Sequence, residues 1–376
     1  MNTDDTVRTF VDFYRERGHE LITGSSLLPP PSDPVLFTTS GMHPLTPYLQ
    51  GRPHPQGRRL VNVQRCLRTT DLDEIGDLTH LTVFEMLGSW SLGDYGHPQS
   101  LRWGYELLRD GFGIPDEKLY VTVFGGDEQV GPDLESLRTW RELGLPVEST
   151  RDENWWSNGP VGPCGPDSEI FFWTGDGPPE GCPTTDSRWV EIWNHVHMRY
   201  ERGEDGGLVP LRQVNVDTGM GLERLVSVLQ GRRSVYETDL FEPWTRTVSQ
   251  LWELDERSMR VVCDHLRSSV VVLGEGVRPS NIGRGYVVRR LIRRLLTALR
   301  RDDDSRTLVD LPVELVGGGT VRGLLLDEER RFGQLLERGR RVLSRPEFRG
   351  PLSEEDYHYL HDTHGLPREL VAGLLG

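Results

Sequence analysis

One stretch constrains this chain more than any other: Val214-Asn215-Val216-Asp217-Thr218-Gly219-Met220-Gly221-Leu222-Glu223-Arg224-Leu225. It opens with strand-like alternation, passes through two glycines, and continues as a helix start carrying Glu223 and Arg224. A carboxylate, a backbone stripped of side chains and a guanidinium therefore arrive together at one turn. That combination suits a small cationic group held by Asp217 beside a nucleotide phosphate held by Arg224.

The rest of the chain has room for two domains, with 376 residues, 36% hydrophobic and 27% charged, a balance that excludes a disordered chain. No apolar run reaches the ~18 residues of a membrane span. Met1-Asn2-Thr3-Asp4-Asp5 lacks an apolar signal core, so a cytoplasmic location and no membrane partner are expected. Cys66, Cys164, Cys182 and Cys263 are far apart and form no CxxC pair, so neither structural zinc nor a disulfide framework is expected. The net charge of −15 argues against wholesale nucleic-acid binding but leaves room for a local basic face. Lys118 is the single lysine; every other basic side chain is arginine.

Periodicity predicts a helix over 4–18, a short strand at 35–39, and strands at 59–67 and about 81–90 joined by the polar loop 69–79. It then predicts helices near 100–109 and 133–143 and strands at 119–124, 170–172 and 189–200. From about 240 the pattern turns helical, with helices at 240–251, 257–273, 285–301 and 321–345 and a linker or surface loop at 302–305. These patterns place a mixed α/β domain over 1–240 and a helical domain over 241–376.

Four further segments carry chemistry. In Gln64-Arg65-Cys66-Leu67-Arg68, Arg68 closes a strand at the mouth of the polar loop, where a planar guanidinium can take a phosphate or a surface carboxylate. The segment Phe84-Glu85-Met86-Leu87-Gly88 offers apolar surface for a base and a carboxylate for an exocyclic amine, or a plain core strand. Gly162-Pro163-Cys164-Gly165-Pro166 reads as a stiff turn after Trp156, lining a small pocket or serving structure alone. In Glu191-Ile192-Trp193-Asn194, alternation puts Glu191 and Trp193 on one face and Asn194 on the other; Asn194 can donate to a carboxylate and Glu191 can hold Mg²⁺. Between Val277 and Arg301 there are eight arginines and no acid. Arg289, Arg290, Arg293 and Arg294 form a helical stripe that fits a nucleic-acid backbone or carboxylates elsewhere in the protein.

Taken in order, these segments resemble the N-terminal part of the alanyl-tRNA synthetase family, a branch of the class II aminoacyl-tRNA synthetases. Gly41-Met42, Gly93-Asp94-Tyr95, Asp264-His265-Leu266-Arg267-Ser268, Arg284-Gly285-Tyr286 and Asp362-Thr363-His364-Gly365-Leu366-Pro367 add to the match. The resemblance implies an α+β fold, an antiparallel class II catalytic sheet flanked by helices and followed by a helical tRNA-recognition domain. It implies ATP and Mg²⁺, a small amino acid with alanine foremost, and the tRNA acceptor stem as partner. Carried onto this chain, it puts ATP against Arg68, Glu85, Met86 and Arg224, and the amino acid against Trp156, Asn194, Asp217 and Gly219. Arg68, Asp217 and Arg224 would carry catalysis, and Glu169 or Glu191 would be the metal-side carboxylate. Asn281, Arg284, Arg289, Arg290, Arg293 and Asp362 would read tRNA.

Three departures stand beside the match. The loop after Arg68 runs through Thr69-Thr70 to Asp71-Leu72, shorter than the family's and without its lysine. Thr39-Ser40 precedes Gly41-Met42 where the family has Asn-Ala. The chain ends at Gly376, which predicts no editing domain and no C-terminal tRNA-binding domain. The expected activity is alanine activation and transfer to tRNA without editing. Two alternatives remain: an adenylating paralogue serving a carrier protein or small molecule, and a non-catalytic binder of tRNA or amino acid.

Overall fold

The computed structural model describes all residues except Ser32, Pro34, Asp71, Asp152, Arg349 and Gly376, and omits the side chain of Glu369. Asp71, in the shortened loop, therefore lies outside the described residues. Two compact units result, Met1–Thr245 and Arg246–Gly376. No described helix is long and apolar enough to cross a membrane.

The first unit is built on a nine-stranded mixed sheet. Its strands are β1 (Glu20–Leu21), β2 (Arg59–Leu67), β3 (Val83–Leu92), β4 (Leu119–Phe124), β5 (Val147–Thr150), β6 (Trp155–Ser157), β7 (Gly162–Trp173), β8 (Trp189–Arg202) and β9 (Leu208–Gly221). They run in the order β1-β2-β3-β9-β8-β7-β4-β5, with β6 paired to β7. The centre is antiparallel, as expected, whereas β1 beside β2 and β5 beside β4 are parallel at the two edges. Helices α1 (Thr3–Glu16), α3 (His97–Glu106), α4 (Leu134–Leu143) and α5 (Leu222–Leu229) cover one face, and the short α2 (Thr46–Leu49) lies on the other.

Local chemistry explains the helix ends. The Asn2 side chain caps α1 by accepting from Asp5 N–H, and Gly18 at φ +79° ends the segment. Asp133 caps α4 through Ser136 N–H, and Gly144 closes it in the left-handed region. The α3 helix continues through a five-residue π segment, Leu107–Gly111.

Three local readings of the sequence need correcting. Residues 35–39 form no strand; Thr38 is tied by single bonds to Leu27 and Leu67, so the segment follows β2 without joining a ladder. Gly162–Asp167 is not a turn but the first half of β7. Gly165 makes this possible, since a Cβ there would sit 2.0 Å from the His197 carbonyl oxygen on β8. In β8 the alternation breaks at Ile192: Trp193 pairs with Ile170 and Glu191 with Phe171, leaving Ile192 as the extra residue of a β-bulge. The bulge puts Glu191 on the same face as Asn194. Trp193 points the other way, fully buried among Phe10, Ile170 and Leu225 in the helix-covered core.

The second unit is helical: α7 (Glu256–Gly274), α8 (Gly283–Leu299), α9 (Val313–Val316), α10 (Thr320–Leu343), α11 (Glu354–His364) and α12 (Arg368–Leu375), with α6 (Glu242–Leu251) spanning the division between the units. The arginines of α8 divide between partners, and for two of them the carboxylate alternative holds. Arg289 and Arg293, one turn apart, both reach Glu328 of α10, at 3.1 and 2.9 Å. Glu328 is 1% exposed, so two cations answer one buried carboxylate. Arg290, on the next face, is exposed.

Because Trp193 fills the centre of the helix-side core, Trp193→Ala should lower unfolding free energy by about 3–5 kcal/mol. Denaturant titration would show this as a reduced midpoint at unchanged slope.

Candidate active site

Two adjacent cross-strand rows build the site. One runs Gly88–Gly219–Asn194–Glu169–Thr122 across β3, β9, β8, β7 and β4; the next runs Trp90–Asp217–Val196–Asp167. Residues in register share a face, and so do residues two apart, so both rows look toward the sheet face opposite the helix layer. The rows floor a cavity of about 250 Å³, which Arg68, Met86, Trp156, Glu169, Glu191, Asn194, Asp217, Gly219 and Arg224 all line.

The glycines follow from close packing. A Cβ on Gly88 would lie 2.1 Å from the Trp90 ring, and one on Gly219 would lie 2.6 Å from Met86 Sδ. Trp90 leans across the space Gly88 leaves open, and its indole Nε1–H donates to Asp217 Oδ1 at 2.6 Å. Burial pushes the Asp217 carboxyl up to about 7, and the indole only partly offsets that.

Asn194 sits beside it, in register with Gly219 and Glu169. The neighbouring Asp167 carboxyl is buried at the sheet and held by Asn154 Nδ2 at 3.0 Å. Asn194 Oδ1 is left buried without a partner. Asn194 and Asp217 both line the cavity, as expected of the two residues read as amino-acid contacts.

Cations stand at the other end. Arg224, in the first turn of α5, donates from Nη1 to the Glu191 carbonyl and to Glu191 Oε2, both at 3.0 Å. Arg68 donates from Nε to the Thr39 carbonyl at 3.1 Å and lies 5.1 Å over the Phe84 ring. Both guanidiniums are thereby oriented. Glu169 completes the row, and burial together with Glu191 and Asp167 pushes its carboxyl up to about 9. Closely placed carboxyls with oxygen donors suit a hard divalent cation, which would relieve their mutual repulsion.

Glu85 is not among the cavity-lining residues. Phe84 and Met86 line it, so by alternation Glu85 faces the other side, opposite Arg65. Its N–H is instead held by both oxygens of the buried Glu223 carboxylate, at 3.2 and 3.0 Å, which clips β3 to α5. Several lining residues escaped sequence reasoning: Ser40, Thr79, His80, Leu81, Val196 and Glu223. Val196 was findable, two residues beyond Asn194 on one strand face. His80 was not, because its position depends on the loop path and on its bond to Asp77.

In the second unit, Asn281 and Asp362 are both exposed. Asn281 accepts from Arg289, and Asp362 pairs with His361 at 2.8 Å. Arg284 is half-buried at the start of α8.

A strand-borne carboxylate and two oriented arginines on an antiparallel sheet are the layout of a class II synthetase core. The family model described as tRNA synthetases class II (A) matches residues 5–375, and the chain belongs to that family. Its relatives include the alanine–tRNA ligase of Treponema pallidum, 42% identical over 100% of this chain and 68% of that protein. That of Borrelia hermsii is 40% identical over 100% and 69%, and that of Rubrobacter xylanophilus 39% identical over 100% and 47%. The chain thus spans between about half and about two-thirds of these relatives' lengths.

The raised Glu169 carboxyl carries a test. It holds its proton at neutral pH, so a cation that takes Glu169 as a ligand must displace that proton. Calorimetry of Mg²⁺–ATP binding in buffers of different ionisation enthalpy should report proton release near pH 7.5, and Glu169→Gln should remove that component. Binding heat independent of buffer would count against Glu169 as a ligand.

Proposed function

We propose that this chain activates alanine with ATP and passes the alanyl group to the acceptor end of tRNA. The observation that carries the reading is the pair of buried acceptors, Asp217 and Asn194 Oδ1, set in one cavity with two oriented arginines. Two acceptors with a carboxylate between apolar walls suit an ammonium. Val196, in register with Asp217, puts an apolar surface beside it that suits a methyl group and gives a hydroxyl no partner.

With the ammonium anchored, an oxygen of the alanine carboxylate attacks the α-phosphorus of ATP, forming the mixed anhydride as the bond to pyrophosphate breaks. Arg68 and Arg224 neutralise negative charge on the phosphates as it redistributes. Glu169 and Glu191 would hold Mg²⁺, which when bound supplies further charge neutralisation on the phosphates. In the second step a terminal ribose hydroxyl of tRNA attacks the acyl carbon and AMP leaves. Neither step needs a protein nucleophile; positioning and charge do the work. Burial pushes the Cys66 thiol up to about 12 and raises Cys164 as well, which leaves both inert.

In this reading residues 1–240 form the catalytic domain and 241–376 the tRNA-recognition domain. Asn281 and Asp362 offer exposed hydrogen-bonding groups for base edges. Arg284 and the exposed Arg290 face phosphates, while Arg289 and Arg293, engaged by Glu328, hold the helix and Asn281 in place.

The test is alanine-dependent ATP–pyrophosphate exchange, followed by charging of tRNA with labelled alanine. Both should occur, and Asp362→Ala should cut charging by about 5- to 150-fold, the ~1–3 kcal/mol of one specific base contact, while leaving exchange unchanged. Exchange without charging would move the acceptor to a carrier protein or small molecule. Absence of exchange would sink the enzymatic reading.

A further inference from the structure

The sheet has a second polar cluster, on the face opposite the cavity. His97 opens α3, Asp133 caps α4 and His197 lies on β8; their side chains are buried, and one ligand atom from each lies within 4.8 Å of the others. The cysteine spacing gave no reason to expect a structural metal, and this cluster uses none. We propose that His97, Asp133 and His197 form a binding site for a divalent transition ion of the Zn²⁺ type, distinct from the cavity that takes ATP and alanine.

The hydrogen bonds around the cluster carry this inference. His97 Nε2 lies 3.1 Å from the His195 carbonyl oxygen and must donate to it, so in the neutral ring the lone pair falls on Nδ1. That nitrogen is the one 3.7 Å from Asp133 Oδ2. A ring N–H given to a backbone carbonyl is the usual support of a metal-ligating histidine. Asp133 is oriented in turn, since its Oδ1 accepts Ser136 N–H at 3.2 Å as the helix cap. His197 stacks on His97 with ring centroids 4.8 Å apart, and its Nδ1 is buried with no hydrogen-bond partner among the described residues. A buried nitrogen left without a partner costs free energy unless something outside the protein satisfies it.

The donor set fits. Two imidazoles and a carboxylate make a three-ligand set typical of zinc, with a fourth position open to water. A tetrahedral ion would draw the ligand atoms from within 4.8 Å to about 3.3 Å apart and would require the two stacked rings to turn until both nitrogens face it. The competing arrangement uses Ser136 instead: its hydroxyl donates to Asp133 Oδ2 at 2.6 Å and lies 2.8 Å from His97 Nδ1. One hydroxyl hydrogen cannot serve both, and neither arrangement of it reaches His197. Because His195 and His197 back the strand whose Asn194 and Val196 line the cavity, an ion here would fasten α3 and α4 to the rear of that strand.

The full chain, purified without chelator and dialysed, should carry close to one equivalent of zinc by mass spectrometry. Dialysis against EDTA should lower the melting temperature, with recovery on adding Zn²⁺ but not Mg²⁺. Co²⁺ in place of zinc should give visible d–d bands. Asp133→Asn keeps the helix cap and His197→Gln keeps the bulk; each should lower the zinc equivalent and the cobalt bands while the chain remains folded by circular dichroism. Equal metal content in wild type and both variants, or a melting temperature indifferent to chelator and zinc, would show a hydrogen-bonded network only and overturn the proposal.

Discussion

A buried carboxylate with one protein hydrogen bond is the constraint around which the first unit is arranged. Asp217 is 6% exposed and, among the described residues, receives only the Trp90 indole. An ionised carboxylate so placed costs more than one neutral donor returns, which is why its proton is held up to about 7. The fold sustains this by crowding the neighbourhood. Trp90 fits only because Gly88 and Gly41 have no side chains, and Met86 fits only because Gly219 has none. In the proposed function a substrate ammonium supplies the cation that Asp217 lacks.

The same logic applies along the row. Asn194 Oδ1 is buried with no hydrogen-bond partner among the described residues, and Glu169 holds its proton among other acids. Acceptors gather at one end and oriented guanidiniums at the other. A substrate that is itself a zwitterion, joined to a polyanion and a divalent cation, is complementary to that polarity. The opposite face of β8 repeats the pattern at smaller scale, with a buried imidazole nitrogen at His197 that has no hydrogen-bond partner among the described residues.

Much of this was legible in the sequence for particular reasons. The β9–α5 stretch carries its own geometry, because glycines at 219 and 221 and a charged helix start admit few foldings. Strands 59–67 and 119–124 were readable to the residue, since short apolar, β-branched runs bounded by polar loops leave little choice there. The β-bulge at Ile192 was not, because one inserted residue changes the face of Glu191 without changing composition. Gly162–Asp167 looked like a turn because proline and glycine ordinarily signal one. Here Gly165 instead answers a close backbone approach that only β8 reveals. The α8 arginines looked like one stripe because Glu328, which claims two of them, lies 35 residues from Arg293. The path of the loop to His80 is set by tertiary contacts that local pattern does not encode.

The most direct measurement of the central claim is the pH dependence of KM for alanine in pyrophosphate exchange, with Mg²⁺–ATP saturating. The alanine ammonium stays charged throughout, and Asp217 is the carboxyl proposed to pair with it, so the Asp217→Asn comparison assigns the slope. KM should be flat above about 7 and rise about tenfold for each pH unit below it, because the protonated carboxyl must ionise before it can pair with the ammonium. Asp217→Asn should raise KM at neutral pH and remove the slope. A KM that stays constant from pH 8 to pH 5.5 in the unmodified protein would contradict the account.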